Sequence, residues 1–218
     1  MQHPKKIGIA GSIGAGKTTL SRSLAEKLDF PWCEEPSDEN EYLADFYEDK
    51  AKHAFACQVA FLASRFQQHG DVMGSLKPGD GVIMDRGPYE DVIFARMLFE
   101  RKEIDDRDFR TYIRLFDMLV TSIGADIPDV VILLDVKVEE LMRRVQKRGR
   151  SCEKGGGVDA AYLAQLAKQY NRYAEEMGRR TTVVRVDWNT FHDTDVLWDA
   201  VVDAYNSGDT CGIKDVVL

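Results

Sequence analysis

The sequence lacks the features that mark several broad classes of protein. Its four cysteines are scattered, with no CxxC pair and no histidine at zinc-ligand spacing, so neither a disulfide framework nor a zinc site is indicated. Apolar runs such as Val130–Leu134 are far too short to span a bilayer, and the N-terminus has no signal-peptide apolar region. We therefore expect a cytoplasmic protein that does not insert into membranes.

An excess of basic residues is also missing. The formal net charge is −8, with 29 Lys and Arg against 37 Asp and Glu. Proteins that bind nucleic acid or anionic membranes in a general way need a basic face, so this balance argues against both partners. A local basic pocket is still compatible with such a composition.

The chain contains an alternation of short apolar runs and longer segments of helical period. Leu20, Leu24 and Leu28 share one helix face, and so do the apolar residues of Phe109–Ile123. Alternating strands and helices over 218 residues predict a single α/β domain, residues 1–218, with a five-stranded parallel sheet flanked by helices. The five predicted strands are Ile7–Ala10, Phe30–Cys33, Val82–Met84, Val130–Leu134 and Thr182–Val186.

A phosphate-binding motif follows the first predicted strand. Glycines permit a tight loop whose N–H groups surround an anion, the lysine reaches the outer phosphates, and the threonine hydroxyl suits Mg²⁺. The motif therefore predicts binding of a nucleoside triphosphate at the start of the next helix. Its residues are Gly11, Ser12, Ile13, Gly14, Ala15, Gly16, Lys17 and Thr18, which match GxxxxGK[ST], with Thr19 immediately after.

Acidic residues follow two further strands, at the edge where open α/β sheets bind ligands. Glu35 follows the second strand and is the candidate general base, while Asp85 ends the third strand and is the candidate Mg²⁺ partner. Arg86 comes next and is placed to contact both an acceptor oxygen and the base. A kinase needs such a base near the acceptor hydroxyl and cations around the transferring group.

The cations are supplied by a dense cluster that precedes a glycine-rich stretch, Lys154–Gly157. Arg144 and Arg148 are four residues apart and share a helix face, and Arg150 follows a glycine that can end the helix. Arg143 and Lys147 belong to the same cluster. We predict a mobile lid over residues 144–157 that closes on phosphates.

Taken in order along the chain, these residues resemble the deoxynucleoside kinase family, and the bacterial deoxyadenosine and deoxyguanosine kinases in particular. The resemblance rests on GSIGAGKTT, Glu35-Pro36, FYEDKAKHAFACQVAFLASR, DRGPYEDVIFA and RRVQKRGRSCE, and it covers nearly the whole chain. It implies a three-layer P-loop NTPase fold with an arginine-rich lid. The implied activity is ATP-dependent phosphorylation of a deoxynucleoside 5′-hydroxyl in nucleotide salvage, with Mg²⁺ as cofactor.

The resemblance also implies roles for individual residues. Glu35 matches the family's general base and Arg86 the arginine that contacts the 5′-hydroxyl, while Arg144, Arg148 and Arg150 match the lid arginines. Gln58 matches the glutamine that binds the nucleobase edge, and Tyr47 and Glu153 match the partners of the 3′-hydroxyl. The chain departs from the usual pattern at Gly87, where most members have serine.

Substrate preference depends on two positions. The branch of the family that acts on deoxycytidine and deoxypurines carries arginine and aspartate where this chain has Arg65 and Asp91. We therefore expect deoxyadenosine or deoxyguanosine as the acceptor, with deoxycytidine as a further candidate. Gln58 and Arg65 lie two turns apart on one helix face, so both can point into one cavity. Phe55, Phe61, Phe66 and Phe94 are candidate stacking walls, although core packing is the ordinary role of most of them.

Three questions stay open at this level. A nucleoside monophosphate kinase of the thymidylate kinase type shares the phosphate-binding motif, an Asp-Arg pair like Asp85–Arg86 and an arginine lid. Its acceptor carries a phosphate, however, which Glu35 and Glu153 would repel. A non-catalytic nucleotide-binding regulator is the second alternative.

Asp187 is expected near the donor base, and the tail Gly208–Leu218 is either disordered or covers that base. By resemblance, we expect a homodimer packed through helices in Tyr89–Phe99 and Phe109–Ile123.

Overall fold

A computed structural model describes residues 2–34, 40–122, 127–149, 158–208 and 211–218. Strands and helices alternate along these residues. The strands are β1 (Lys6–Gly11), β2 (Trp32–Cys33), β3 (Val82–Asp85), β4 (Val130–Asp135), β5 (Thr182–Asp187) and β6 (Gly212–Val216). The helices are α1 (Lys17–Leu28), α2 (Leu43–Glu48), α3 (Lys50–Ser75), α4 (Asp91–Glu100), α5 (Asp106–Ser122), α6 (Val138–Arg148), α7 (Ala160–Gly178) and α8 (Thr194–Asn206), and a 3₁₀ turn covers Pro88–Glu90.

The six strands form one parallel sheet in the order β2-β3-β1-β4-β5-β6. Ile9 lies beside Asp85, Gly11 beside Leu134, and Asp135 beside Asp187, so the carboxyl ends of the central strands reach the same edge. Since the chain moves outward from β1 in both directions, that edge contains the switch point at which such sheets bind ligands. The predicted α/β fold class is confirmed.

The expected number of strands was wrong by one, because β6 extends the sheet at its edge. This strand lies in the C-terminal tail, for which we expected either disorder or a cover over the donor base. Its residues alternate between intermediate and exposed positions, and Ile213 is 36% exposed. An edge strand lacks the continuous apolar run of a buried parallel strand, so the sequence pattern gave no sign of it.

The core lies on both faces of the sheet. Ile7, Ile9, Val130 and Ile132 in the two central strands are completely buried, as near-continuous apolar strands between helical layers should be. In α1, Leu20 and Leu24 are buried, as the helical period predicts. The helix α6 ends at Gly149, which has φ 72°, so the glycine at that position ends the helix as expected.

The thiols of the described residues are not paired in disulfides. Cys33 and Cys57 are buried and Cys211 is exposed, whereas Cys152 lies outside the described residues. Burial raises the pKa of Cys33 to about 11 and that of Cys57 to about 12, so both thiols are protonated at neutral pH. None of the described helices combines the length and apolar character that crossing a bilayer requires.

Candidate active site

A cavity of about 630 Å³ opens at the carboxyl edge of the sheet. The loop after β1 and the helix α6 form one end, which we call the P-loop end. The helices α2, α3 and α4 form the other, which we call the Gln58 end. The P-loop end is lined by Ile13, Gly14, Gly16, Lys17, Thr18, Thr19, Arg143, Arg144, Lys147, Arg148 and Phe191, and the Gln58 end by Leu43, Phe46, Tyr47, Gln58, Phe61, Arg65, Arg86, Phe94 and Tyr162.

Two glycines of the loop are required by its shape. Gly14 has φ 81° and Gly16 has φ 99°, both in the left-handed region that side chains rarely adopt. A Cβ on Gly14 would lie 2.9 Å from a methyl carbon of Val145, and one on Gly16 would lie 2.9 Å from the ring of Phe191. The loop therefore packs directly against α6 and the segment after β5, which together close around the P-loop end.

Lys17 is held inside this loop. Its Nζ donates to the carbonyl oxygens of Gly11 at 2.9 Å and Ser12 at 3.1 Å, and the side chain is buried. The helix α1 begins at the same residue, so its positive end points to the loop. Thr18 and Thr19 line the cavity directly after it. This combination of a loop, a helix start and a lysine suits a polyphosphate.

Arg144 joins α6 to the loop and to the segment after β5. Its guanidinium donates to the carbonyl oxygens of Ala15 at 2.9 Å and Trp188 at 2.8 Å, and to the Glu140 carboxylate at 2.7 Å. Hydrogen bonds from Arg143 and Arg144 lower the pKa of Glu140 to about 2. Arg148 lines the cavity one turn later.

Phe191 is a site residue that sequence reasoning missed. Its ring is 59% exposed, and its face lies 4.5 Å from the guanidinium carbon of Arg144. Such an exposed ring offers a flat apolar face on which a planar group can stack. Asp187, which we expected near the donor base, does not line the cavity. Asp187 accepts hydrogen bonds from the N–H and the side-chain amide of Asn189, and the backbone bond is the main cause of its lowered pKa.

At the Gln58 end, Gln58 and Arg65 both line the cavity, as their spacing on one helix predicted. Arg65 forms an ion pair with Asp91, whose side chain is 1% exposed. The guanidinium of Arg65 also lies over the ring of Phe61 at 4.9 Å. Asp91 does not itself line the cavity and acts behind Arg65.

Of the four candidate stacking residues, two line the cavity and two belong to the core. Phe61 and Phe94 line the cavity. Phe66 is buried in the cluster between α3, α4 and α5, and Phe55 packs against the same cluster, so both belong to the core. Tyr47, at the end of α2, lines the cavity as expected.

Arg86 belongs to the Gln58 end of the cavity and is tightly surrounded. Its Nη1 donates to Tyr170 Oη at 2.8 Å and lies 3.0 Å from Glu90 Oε1, and its guanidinium packs over Phe94 at 4.7 Å. Neither Glu90 nor Tyr170 was identified from the sequence. Glu90 is four residues from Arg86 and could have been suspected from that spacing, whereas Tyr170 lies on α7, far along the chain.

Asp85 is buried at the end of β3, and it lines a small pocket beside Arg86 instead of the main cavity. Within the described parts of the chain, no cluster of three His, Cys, Asp or Glu side chains could hold a metal alone. Mg²⁺ in phosphate-transfer sites needs only one or two protein ligands besides phosphates and water. Of the two predicted Mg²⁺ partners, Thr18 lines the main cavity and Asp85 lines the small pocket, and Arg86 borders both.

Three predicted site residues lie outside the described residues: Glu35, Arg150 and Glu153. Glu35 comes two residues after β2, whose Cys33 is paired in register with Met84 of β3. The chain therefore leaves β2 at the same edge of the sheet at which Asp85 and Arg86 lie.

The two ends differ in charge compensation. Seven described lining residues carry positive charge, and no described carboxylate lines the cavity: Lys17, Arg65, Arg86, Arg143, Arg144, Lys147 and Arg148 are the cations. At the Gln58 end, Asp91 and Glu90 neutralise Arg65 and Arg86 from behind. The P-loop end is therefore suited to an anion, and the Gln58 end to a neutral polar molecule.

Known proteins resemble this chain in both sequence and fold. The sequence profile described as deoxynucleoside kinase matches residues 7–207. The chain is 39% identical over 201 residues to a deoxyadenosine kinase of Dictyostelium discoideum, covering 92% of this chain and 79% of that one. It is 37% identical over 148 residues to a deoxyadenosine/deoxycytidine kinase of Bacillus subtilis, covering 67% of each. A solved deoxyadenosine kinase of M. mycoides with bound dCTP superposes with a TM-score of 0.77 at 29% identity, covering 93% of this chain and 99% of that one.

Proposed function

Because this chain belongs to the deoxynucleoside kinase family and phosphorylates deoxynucleosides with ATP, we propose that the cavity binds both substrates end to end. ATP phosphates occupy the P-loop end, and the deoxynucleoside occupies the Gln58 end with its 5′-hydroxyl towards Arg86. The observation that supports this proposal is that one cavity is lined both by Lys17 and Thr18 of the loop and by Gln58 and Arg65 of α3. We propose that residues 1–218 form one kinase domain, with a lid over 144–157.

At the P-loop end, the phosphates would be bound by the motif residues Gly11 to Thr19, together with Arg144, Arg148 and Arg150. The donor base would lie against Phe191, whose exposed ring borders both the loop and Arg144. Lys17 would leave its carbonyl partners for the outer phosphates when ATP enters, because a charged phosphate oxygen is the stronger acceptor.

At the Gln58 end, the acceptor is held by neutral recognition. The Gln58 amide both donates and accepts, which suits the edge of a nucleobase. Arg65, paired with Asp91 behind it, would face exocyclic groups of the base, and Phe61 and Phe94 would flank the ring. Tyr47 and Glu153 would bind the 3′-hydroxyl. Relatives of this chain are named as deoxyadenosine kinases and as deoxyguanosine kinases, and the name of the Bacillus relative adds deoxycytidine.

The reaction needs a proton acceptor and charge stabilisation. Glu35 would take the proton of the 5′-hydroxyl as the oxygen attacks the γ-phosphorus in line with the leaving ADP. Arg86 would orient that hydroxyl, and Lys17, Arg144 and Arg148 would stabilise the charge on the transferring group. Thr18 and Asp85 would hold Mg²⁺, which when bound neutralises charge on the phosphate oxygens.

We also propose a homodimer that forms through α4 and α5. In α5 only Tyr112 is buried, although the helix carries a long apolar stripe, and Met118 is 55% exposed. Ile113, Phe116 and Leu119 pack against the core cluster that contains Tyr112, but each is only partly buried. A second copy that covers this face would bury apolar side chains that are now exposed to water. The cytoplasm is the compartment we propose.

The test of the chemistry compares two neighbouring carboxylates. Glu35→Gln should lower kcat by about 10²- to 10⁴-fold, because the variant keeps the shape and removes the base. Glu34→Gln is the matched control, since Glu34 is exposed, and its kcat should stay within about twofold. Full turnover by Glu35→Gln would reject the proposed mechanism.

The test of the substrate is turnover on each of the four deoxynucleosides and on deoxyadenosine monophosphate. We expect deoxyadenosine or deoxyguanosine to give the highest kcat/KM, with deoxycytidine next. Thymidine as the best substrate would reject the base assignment. Faster phosphorylation of the monophosphate would reject the neutral acceptor site.

A further inference from the structure

Arg86 is buried and its backbone conformation is unusual. The residue is 7% exposed and has φ 69°, which is uncommon for a residue with a Cβ. Among the described residues, its guanidinium contacts the side chains of Glu90, Phe94 and Tyr170, and it also lines the cavity.

The polar contacts form a closed ring. Arg86 Nη1 donates to the oxygen of Tyr170, the Tyr170 hydroxyl donates to Glu90 Oε1, and Glu90 forms an ion pair with Arg86. A tyrosine hydroxyl can accept and donate at once, so one atom joins the cation to the carboxylate. Glu90 is completely buried and Tyr170 is 4% exposed, so these bonds operate away from water and are strong.

The three members come from different parts of the chain. Glu90 belongs to the 3₁₀ turn that follows β3 and Arg86, whereas Tyr170 lies in the middle of α7. The carboxylate compensates the charge of Arg86, and the phenol and the Phe94 ring fix the plane of its guanidinium. A carboxylate alone would leave the guanidinium more freedom to rotate.

We propose that Glu90 and Tyr170 are positioning residues that hold Arg86 in the orientation in which it meets the acceptor 5′-hydroxyl. This inference rests on the proposed function, which gives Arg86 that contact. Neither residue lines the cavity. Their effect is transmitted through one guanidinium, and a displacement of about 1 Å at such a group can lower a rate about a hundredfold.

The first test is Tyr170→Phe, which removes one hydroxyl and keeps the ring. We expect kcat with deoxyadenosine to fall about ten- to a hundredfold while KM for ATP stays within about twofold, because the P-loop end is unaffected. Tyr173→Phe is the matched control. Tyr173 is buried one turn further along α7, with its ring 6.4 Å from that of Tyr170, and its variant should keep kcat within about twofold.

The second test asks whether the effect passes through Arg86. In an Arg86→Lys background, Tyr170→Phe should change kcat by less than about twofold, because the group that it positions is gone. Equal losses in both backgrounds would overturn the inference, and so would a Tyr170→Phe enzyme as fast as the wild type. Glu90→Gln should reproduce the kcat loss with an unchanged KM for ATP, and full activity of that variant would also overturn it.

The same variants separate this inference from the proposed function. An impaired Arg86→Lys enzyme beside a fully active Tyr170→Phe enzyme would remove only the positioning role. A fully active Arg86→Lys or Glu35→Gln enzyme would reject the proposed chemistry itself. Thermal unfolding of each variant identifies any loss that comes from misfolding.

Discussion

Positive charge is compensated differently at the two ends of the cavity. At the P-loop end, Lys17 and Arg144 bond largely to backbone carbonyl oxygens, and Glu140 is shared by two arginines. At the Gln58 end, Arg65 is paired with its own buried carboxylate. The first arrangement leaves a net field for a polyanion, while the second keeps directional donors without net charge. This difference supports the proposed placement of ATP at one end and a neutral nucleoside at the other, and removing a cation should have different consequences at each end.

The largest expected effect is on catalysis at the P-loop end. Arg148→Ala should lower kcat by roughly a thousandfold if this exposed side chain stabilises the transferring phosphoryl group as an arginine finger does. Its stability should change by less than about 0.5 kcal/mol, because the side chain is exposed. Arg172→Ala, which removes an exposed arginine outside the cavity, is the control and should retain activity. Steady-state kinetics and thermal unfolding of both variants check this prediction.

At the Gln58 end, removing a cation should reduce stability as well. Arg65→Met leaves the Asp91 carboxylate buried without its partner and should lower the free energy of unfolding by about 3–5 kcal/mol. The double variant Arg65→Met/Asp91→Leu removes both charges and should recover most of that loss, although discrimination among bases would not return. Urea unfolding measures the first outcome. A double variant no more stable than the single one would contradict the compensation argument.

The shared carboxylate predicts a pH effect. Hydrogen bonds from Arg143 and Arg144 lower the pKa of Glu140 from 4.5 to about 2. Stability from these bonds is therefore present above the unfolded pKa and is lost as pH falls from about 4.5 towards about 2. Glu140→Gln should show a shallower loss of stability over that range. Unfolding at several pH values tests this, and identical pH profiles would argue against the bonds.

The smallest expected effect concerns Gly87, where the family usually has serine. Gly87 begins the 3₁₀ turn without a side-chain cap, has φ −70°, and offers open space to a Cβ. Gly87→Ser should therefore raise stability by a few tenths of a kcal/mol, about 1 °C in Tm, with unchanged kcat. A marked loss of activity would show that the glycine itself is needed beside Arg86.

Sequence reasoning found the parts of the site whose signal is local. The motif Gly11–Thr18 carries its own conformation and chemistry, and two turns of one helix bring Gln58 and Arg65 to the same side. It missed Phe191 and Tyr170, because their roles follow from their contacts with Gly16 and Arg86. An aromatic residue in a loop or helix has no distinguishing pattern until tertiary contacts bring it to a site.

The sequence by itself determined the α/β class, five of the six strands and the phosphate loop, because periodicity and glycine spacing act over a few residues. Only the tertiary structure decided that β6 extends the sheet, that Asp91 lies behind Arg65, and that Glu90 and Tyr170 surround Arg86. These features depend on which buried charges meet across distant segments. Burial makes each such pairing strong, and the distances between the paired side chains cannot be read from the sequence.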